Sequence, residues 1–207
     1  MPFTVSHRVS RRIIAANEYD SGVGAWEEPE RRTLELLDAA VFSPVAAAAL
    51  RPICDRVLGI LERSPREIEA WEPVPLSLYG VELPRDVGSS WVFVLRRGVT
   101  TGAERHPNSR QRMVSWSGGG DFQVHDGERW ASHHLVSDPA APIERRWVSI
   151  PPDTWHQGVV ADADWLVVSF HTVPAGELVE ERPDPADPDP FRPRRTRRRR
   201  YVDVEQS

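Results

Sequence analysis

The spacing of apolar positions changes after Trp71. From Glu30 to Phe42, Leu34, Leu37 and Val41 recur as one face of a helix. Ser43-Pro44 follows, an N-cap side chain with proline in the first turn, so a second helix begins there. Ile53, Val57, Ile60 and Leu61 continue at i, i+4, i+7 and i+8, and Pro52 is expected to break or kink that helix. Ser64-Pro65 repeats the cap signal and predicts a short third helix through Ala70. Two or three helices therefore precede, and pack on, something else.

Beyond Trp71 the runs become short and strand-like, bounded by Gly, Pro, Asp and Asn. They are Leu76–Val81, Trp91–Arg97, Arg112–Ser117, Asp121–His125, Ile143–Ile150, Gln157–Val160 and Trp165–His171, with a weaker one at Trp130–Val136. No long helical pattern separates them, which argues against a parallel βαβ sheet. It predicts a mainly β fold, an antiparallel sandwich or barrel. Ser117-Gly118-Gly119-Gly120-Asp121 reads as a hairpin connection, because a strand rather than a helix follows it.

Composition refines this picture in two places. The chain of 207 residues suits one domain with an appendage, and no run approaches the ~20 apolar residues of a membrane span. With no hydrophobic leader at the N-terminus, a cytoplasmic location is expected. The single cysteine, Cys54, excludes an internal disulfide and a multi-thiolate metal site, and its apolar neighbours mark it as buried.

Charge is the second refinement. The net charge is −5, yet seven Arg lie between Arg192 and Arg200, so the rest of the chain stands at −12. Before that run, Glu180 to Pro190 is rich in Asp, Glu and Pro and reads as an extended linker. The Arg-rich tail is expected to be unstructured. It either folds back on the acidic body or contacts an anionic partner, with nucleic acid expected only through this tail and no membrane partner. The predicted organisation is a helical region over 1–72, a β-barrel over 73–175, and a linker with tail over 176–207.

One constellation carries chemistry. Glu104 and His106 are two apart, so on an extended segment they share a face. Gln111 opens the adjoining strand, and His156 comes from a distant one that a small barrel can bring opposite. Imidazole suits Fe, Ni, Cu and Zn and carboxylate oxygen suits harder ions, and two His with one Glu resemble the facial triad of non-haem Fe(II) enzymes. His171 ends the last strand and either faces the pocket as an acid or base or sits at the outer end. Of the remaining histidines, His133-His134 read as a surface loop and His125 as exposed beside the Asp126-Gly127 turn. Trp116 and Trp155 are candidates for pocket walls, with core packing the default.

Written out, the spacing is Gly98, five residues, Glu104-x-His106, four residues, Gln111, six residues, Gly118; later comes Pro151-x-Asp153-x-x-His156. This resembles the two motifs of the cupin superfamily over residues 74–173. Glu104 stands for a His, Gln111 for a Glu and Asp153 for a turn Gly. The resemblance implies a jelly-roll barrel with one divalent transition metal at its mouth, Fe(II) first, on Glu104, His106, His156 and Gln111. It implies a metal-dependent enzyme on a small organic molecule, a dioxygenase first, with Glu104 or His171 moving protons in an isomerase or lyase. A non-catalytic ligand-binding or regulatory cupin is the alternative. Such proteins often dimerise, so a homodimer is expected.

Overall fold

The computed structural model describes residues 26–185 and 196–200. The N-terminal residues behind the expected location, and the linker over 186–195, lie outside them. Two helices come first, α1 (Glu28–Val41) and α2 (Pro44–Arg63). Ser43 caps α2, its hydroxyl accepting from the Ala46 N–H. Pro52 does not break α2, because Leu50, Ile53, Cys54 and Val57 around it are all buried and packing outweighs one lost backbone hydrogen bond.

The third helix is not formed. Arg96 gathers the carbonyls of Leu61, Ser64 and Glu67 at the end of α2. The chain turns there into a strand, β1 (Glu69–Val74). The strand expected at Leu76–Val81 is a single 3-10 turn, Leu76–Tyr79, begun after Pro75 and stopped by the left-handed Gly80. Tyr79 is buried there, its hydroxyl 2.6 Å from Ser90 Oγ.

The remaining strands are β2 (Ser89–Leu95), β3 (Gln111–Ser117), β4 (Gly119–His125), β5 (Trp130–Val136), β6 (Trp147–Ile150), β7 (His156–Val160) and β8 (Trp165–His171). A final pair is β9 (Val179–Pro183) and β10 (Thr196–Arg200). One sheet runs β1-β2-β8-β3-β6 and a second runs β5-β4-β7, antiparallel throughout. Isolated bridges from Thr100 to Val159 and from Glu104 to His156 lay residues 100–104 along the free side of β7.

From β2 to β8 the chain crosses between the sheets at nearly every connection. The interleaved order, β2-β8-β3-β6 facing 100–104, β7, β4 and β5, is a jelly roll. The barrel is not closed. Ser117–Asp121 is not a hairpin, since β3 and β4 lie in different sheets. It is a corner. Gly118 takes φ +82°, and a Cβ on Gly120 would meet the Trp165 ring at 2.5 Å.

Sequence alternation explains the two cores. Along β2, Trp91, Phe93 and Leu95 point between the sheets, where Met113, Phe122, Trp165 and Val167 meet them. Val92 and Val94 point outward, under Leu34, Leu37, Leu50 and Val57 of the helices. Polar clamps fix α1 in place. Asp38 accepts from both Arg146 terminal nitrogens, at 2.5 and 2.8 Å, and from the Trp147 indole at 2.8 Å. The buried Arg112 pairs with Glu30 at 2.8 Å and Asp86 at 2.6 Å.

The linker expectation is corrected from Glu180 to Pro183. These residues form β9, which pairs with Arg105 through Glu181 and with β10. Proline density misled because the N–H groups that matter precede Pro183: Glu181 donates to the Arg105 carbonyl at 2.9 Å. The tail expectation is likewise corrected over Thr196–Arg200, which is strand.

Asp38→Ala removes the carboxylate shared by a largely buried guanidinium and an indole N–H. It is expected to cost about 2–3 kcal/mol in guanidinium-chloride unfolding with an unchanged denaturant slope, and Asp38→Asn less.

Candidate functional site

Three segments converge where 100–104, β7 and β9 meet. Glu104 and His156 are backbone partners, each donating its N–H to the other's carbonyl at 2.9 and 2.8 Å. His106 lies two residues on, and its carbonyl accepts from the Asp153 N–H at 3.0 Å. Asp153, in the place of the motif's turn Gly, takes φ 63°. Aspartate tolerates this left-handed conformation better than most residues. One ring nitrogen from each of His106 and His156 and one carboxylate oxygen of Glu104 all lie within 4.8 Å of one another.

The tautomers of both rings follow from the backbone. A carbonyl can only accept. His106 Nδ1, 3.0 Å from the Val179 carbonyl, therefore carries the proton, as does His156 Nδ1, 2.9 Å from the Thr154 carbonyl. With Nδ1 so committed, Nε2 is the ring nitrogen left to act as a metal ligand. His156 Nε2 is buried, accepts no hydrogen bond, and faces Glu104 Oε1 at 3.6 Å. Burial, then the neighbouring His156, pushes His106 down to about 4, so it stays neutral.

Glu104 is governed by Arg182. Burial alone would raise its carboxyl, but the Arg182 guanidinium 2.6 Å from Oε2 and the contact with His156 hold it well below the usual range. Arg182 also reaches Glu69 at 3.0 Å and Glu180 at 2.6 Å. Three carboxylates around one cation leave an excess of negative charge in a buried place. Desolvation, then Glu104, accordingly pushes Glu69 up to about 7.

A small cavity of about 30 Å³ opens beside this cluster. Its walls are apolar at Phe93, Leu95, Met113, Phe122 and Val167, and polar at Glu69, Glu104, Gln111 and His156. Gln111 is buried, and its Oε1 has no hydrogen-bond partner. His171 packs edge-on to His106 with ring centroids 4.9 Å apart but does not line the cavity. Its two nitrogens sit 3.4 Å from Ser109 Oγ and 3.3 Å from Ser169 Oγ, and burial followed by His106 keeps it neutral. His171 is thus at the site, in a supporting position.

Other expectations resolve similarly. Arg105 turns away from Glu104, pairing with Glu181 at 2.7 Å and lying over Trp155 at 4.7 Å. Trp116 stacks on Phe42, and neither Trp116 nor Trp155 lines the cavity. His133 and His134 are in β5, not in a loop; His134 is exposed, 3.9 Å from Asp121. His125 is only partly exposed and accepts from the Gly127 N–H. Residue-by-residue reading missed Glu69, Glu180 and Arg182, which it assigned to a helix and a linker. The signal was the apolar pair Leu178-Val179 before Glu180, a strand start just ahead of the prolines.

No protein-family model and no curated protein matches the chain. Among solved structures it is similar to CapF, the capsular polysaccharide assembling protein from Staphylococcus aureus, at 17% identity over 59% of this chain, with a TM-score of 0.41. It is similar to an oxalate oxidase in complex with the substrate analogue glycolate at 14% over 52%, TM-score 0.40, and to KdgF from Halomonas sp. at 15% over 51%, TM-score 0.37. The chain covers 31% of CapF, 52% of the oxalate oxidase and 81% of KdgF. The jelly roll itself is fixed by the chain's own strand order.

Glu69→Gln tests the charge excess. The folded-state carboxyl near 7 exceeds its ordinary value of 4.5. Between those values the folded state keeps a proton that the unfolded state has released, so wild-type stability falls as pH rises. With chelator present, the variant is expected to match the wild type below pH ~4.5 and to gain on it by about 3 kcal/mol by pH ~7.5, read from denaturation at each pH.

Proposed function

We propose that the chain is a metal-dependent enzyme acting on a small organic molecule, its divalent transition metal held by Glu104, His106 and His156. The observation that carries this is the paired commitment of His106 Nδ1 and His156 Nδ1 to backbone carbonyls. Each ring is locked in the tautomer a metal requires, with its orientation set by a hydrogen bond behind it. The charge of the site supports the same reading. Glu69, Glu104 and Glu180 crowd around the single Arg182 cation, an excess of acidic groups that a divalent cation offsets.

Two imidazoles and one carboxylate leave coordination positions open, which suits Fe(II) first and Mn, Ni or Zn next. Such a metal supplies activation of O₂ or polarisation of a substrate carbonyl. The dioxygenase reading comes first because the donor set is the facial triad's.

The chain's own residues divide the remaining work. Arg182 holds Glu104 Oε2, leaving Oε1 toward the histidines. Phe93, Met113, Phe122 and Val167 form the apolar part of the cavity wall. Glu104, held ionised, serves as a ligand and is a poor proton donor. Glu69 borders the same cavity and is the group suited to holding a proton near neutral pH, which also favours isomerisation or elimination as the second reading.

Elemental analysis of the untagged protein beside His106→Ala and His156→Ala checks the centre. About one equivalent of a transition metal is expected in the wild type and less than about a tenth of that in either variant. No metal after reconstitution with Fe(II), Mn, Ni and Zn would sink the proposal.

A further inference from the structure

Along β7, His156, Gly158 and Val160 face inward, and Gly158 lies opposite Phe122 of β4. Gly158 is in ordinary extended backbone, so the conformation there does not call for glycine. Nor does it let another backbone through. A Cβ on Gly119 would meet the Leu135 carbonyl at 2.6 Å, and one on Gly120 the Trp165 ring at 2.5 Å. A Cβ on Gly158 would meet only side-chain ends, Leu95 Cδ1 at 3.0 Å and Thr101 Cγ2 at 3.5 Å. Leu95, Thr101 and Gly158 all line the cavity beside Glu104 and His156.

The strand cannot draw back to make room for a side chain. On one side Gly158 donates its N–H to Thr101 Oγ1 at 3.0 Å and accepts from the Thr101 N–H at 2.9 Å. On the other side β7 is paired with β4. A side chain at 158 therefore has only the cavity to enter. The cavity holds about 30 Å³, space for about two or three waters at ~10–15 Å³ each. A methyl group placed there, or the Leu95 isopropyl group it displaces, takes a large share of that space. Gln111 puts an acceptor in the same wall: it is buried, and its unpartnered Oε1 calls for a hydrogen-bond donor.

We infer that Gly158 is the size-selecting residue of the site: its missing side chain leaves room for a molecule of about three or four heavy atoms, with a hydroxyl or amide N–H toward Gln111 Oε1. This narrows the substrate class of the proposed enzyme and rests on that reading of the site. Gly158 is then a specificity residue facing the ligand, two residues along β7 from His156.

Formamide, acetamide and propionamide test this, since they keep one amide and grow by one carbon at a time. Their binding to the intact protein is measured by ligand-observed NMR titration, with metal content assayed in the same samples. The wild type is expected to bind formamide and acetamide within about threefold of each other and propionamide about tenfold more weakly. Gly158→Ala is expected to weaken acetamide about tenfold and leave formamide within about threefold. Adding Leu95→Val, which removes a methylene beside the new methyl, is expected to return acetamide to within about threefold of the wild type. Leu95→Val alone is expected to bring propionamide within about threefold of acetamide.

An acetamide affinity that ignores Gly158→Ala overturns the inference, as does a wild type that binds propionamide as well as acetamide or binds none of the three. Equal loss of formamide and acetamide in Gly158→Ala, loss of its metal, or no recovery with Leu95→Val overturns it too, because Gly158 would then serve the fold rather than the ligand. A thermal melt shows whether Gly158→Ala folds, and the wild-type series and Leu95→Val alone decide the matter without it. A protein that holds no metal yet keeps the size cut-off supports the inference while the metal reading fails.

Discussion

Arg182 is the constraint on which the site depends. Its guanidinium binds Glu69 of β1, Glu104 beside β7 and Glu180 of its own strand, at 2.6–3.0 Å. These carboxylates come from distant parts of the chain, so one side chain ties the edge of the five-stranded sheet to the free side of the three-stranded one. A buried charge in an incomplete cluster is costly, so none of the four is tolerable without the others. The planar fork suits Arg rather than Lys, because it meets several carboxylates at once in fixed directions. The local charge excess that remains is what makes a divalent cation a natural fifth member.

Backbone geometry does the rest of the preparation. His106 and His156 are each oriented by a carbonyl rather than by a side chain, so their tautomers are fixed by the path of the main chain. One of those carbonyls, at Val179, belongs to the start of β9. Docking of β9 therefore sets both the Arg182 contact and the His106 ring. On the other flank, Gln111 Nε2 donates to Ser169 Oγ, and His171 lies between the hydroxyls of Ser169 and Ser109. That gives His171 a place distinct from proton transfer to substrate: it supports the hydroxyl of Ser169, which accepts from the Gln111 amide at 3.2 Å.

The sequence showed the β-rich region and the core of the site because both rest on local regularities. Strand alternation located β5 and β8 to the residue, and the two-residue spacing of Glu104 and His106 put them on one face. What it hid depended on contacts between distant segments. Ser64-Pro65 has the local look of a helix start, yet Arg96 from β2 captures the carbonyls there and ends the helical path. Leu76–Val81 has strand-like composition, but Tyr79 gains more by burying its ring against Phe170, 5.2 Å away. Glu69 and Arg182 are unremarkable charged residues until β1 and β9 are paired with their neighbours. His171 was placed at the site by strand position, while its role waited on the hydroxyls around it.

The uneven charge of the chain finds part of its explanation in the same place. β10 carries Arg onto the outer edge of β9, where Arg198 meets Glu181 at 3.1 Å and Arg197 lies 3.9 Å from Asp184. These Arg side chains are well exposed, and ion pairs of that kind contribute little, ~0–1 kcal/mol each. The backbone ladder from Thr196–Pro183 to Arg200–Val179 is the stronger tie. It covers the edge of the strand that delivers Arg182 and Glu180 to the interior, and an uncovered edge there would be open to pairing with another chain. The basic segment lies against an acidic strand for an ordinary electrostatic reason. Its consequence is structural: the last described strand holds in place the residue that organises the site.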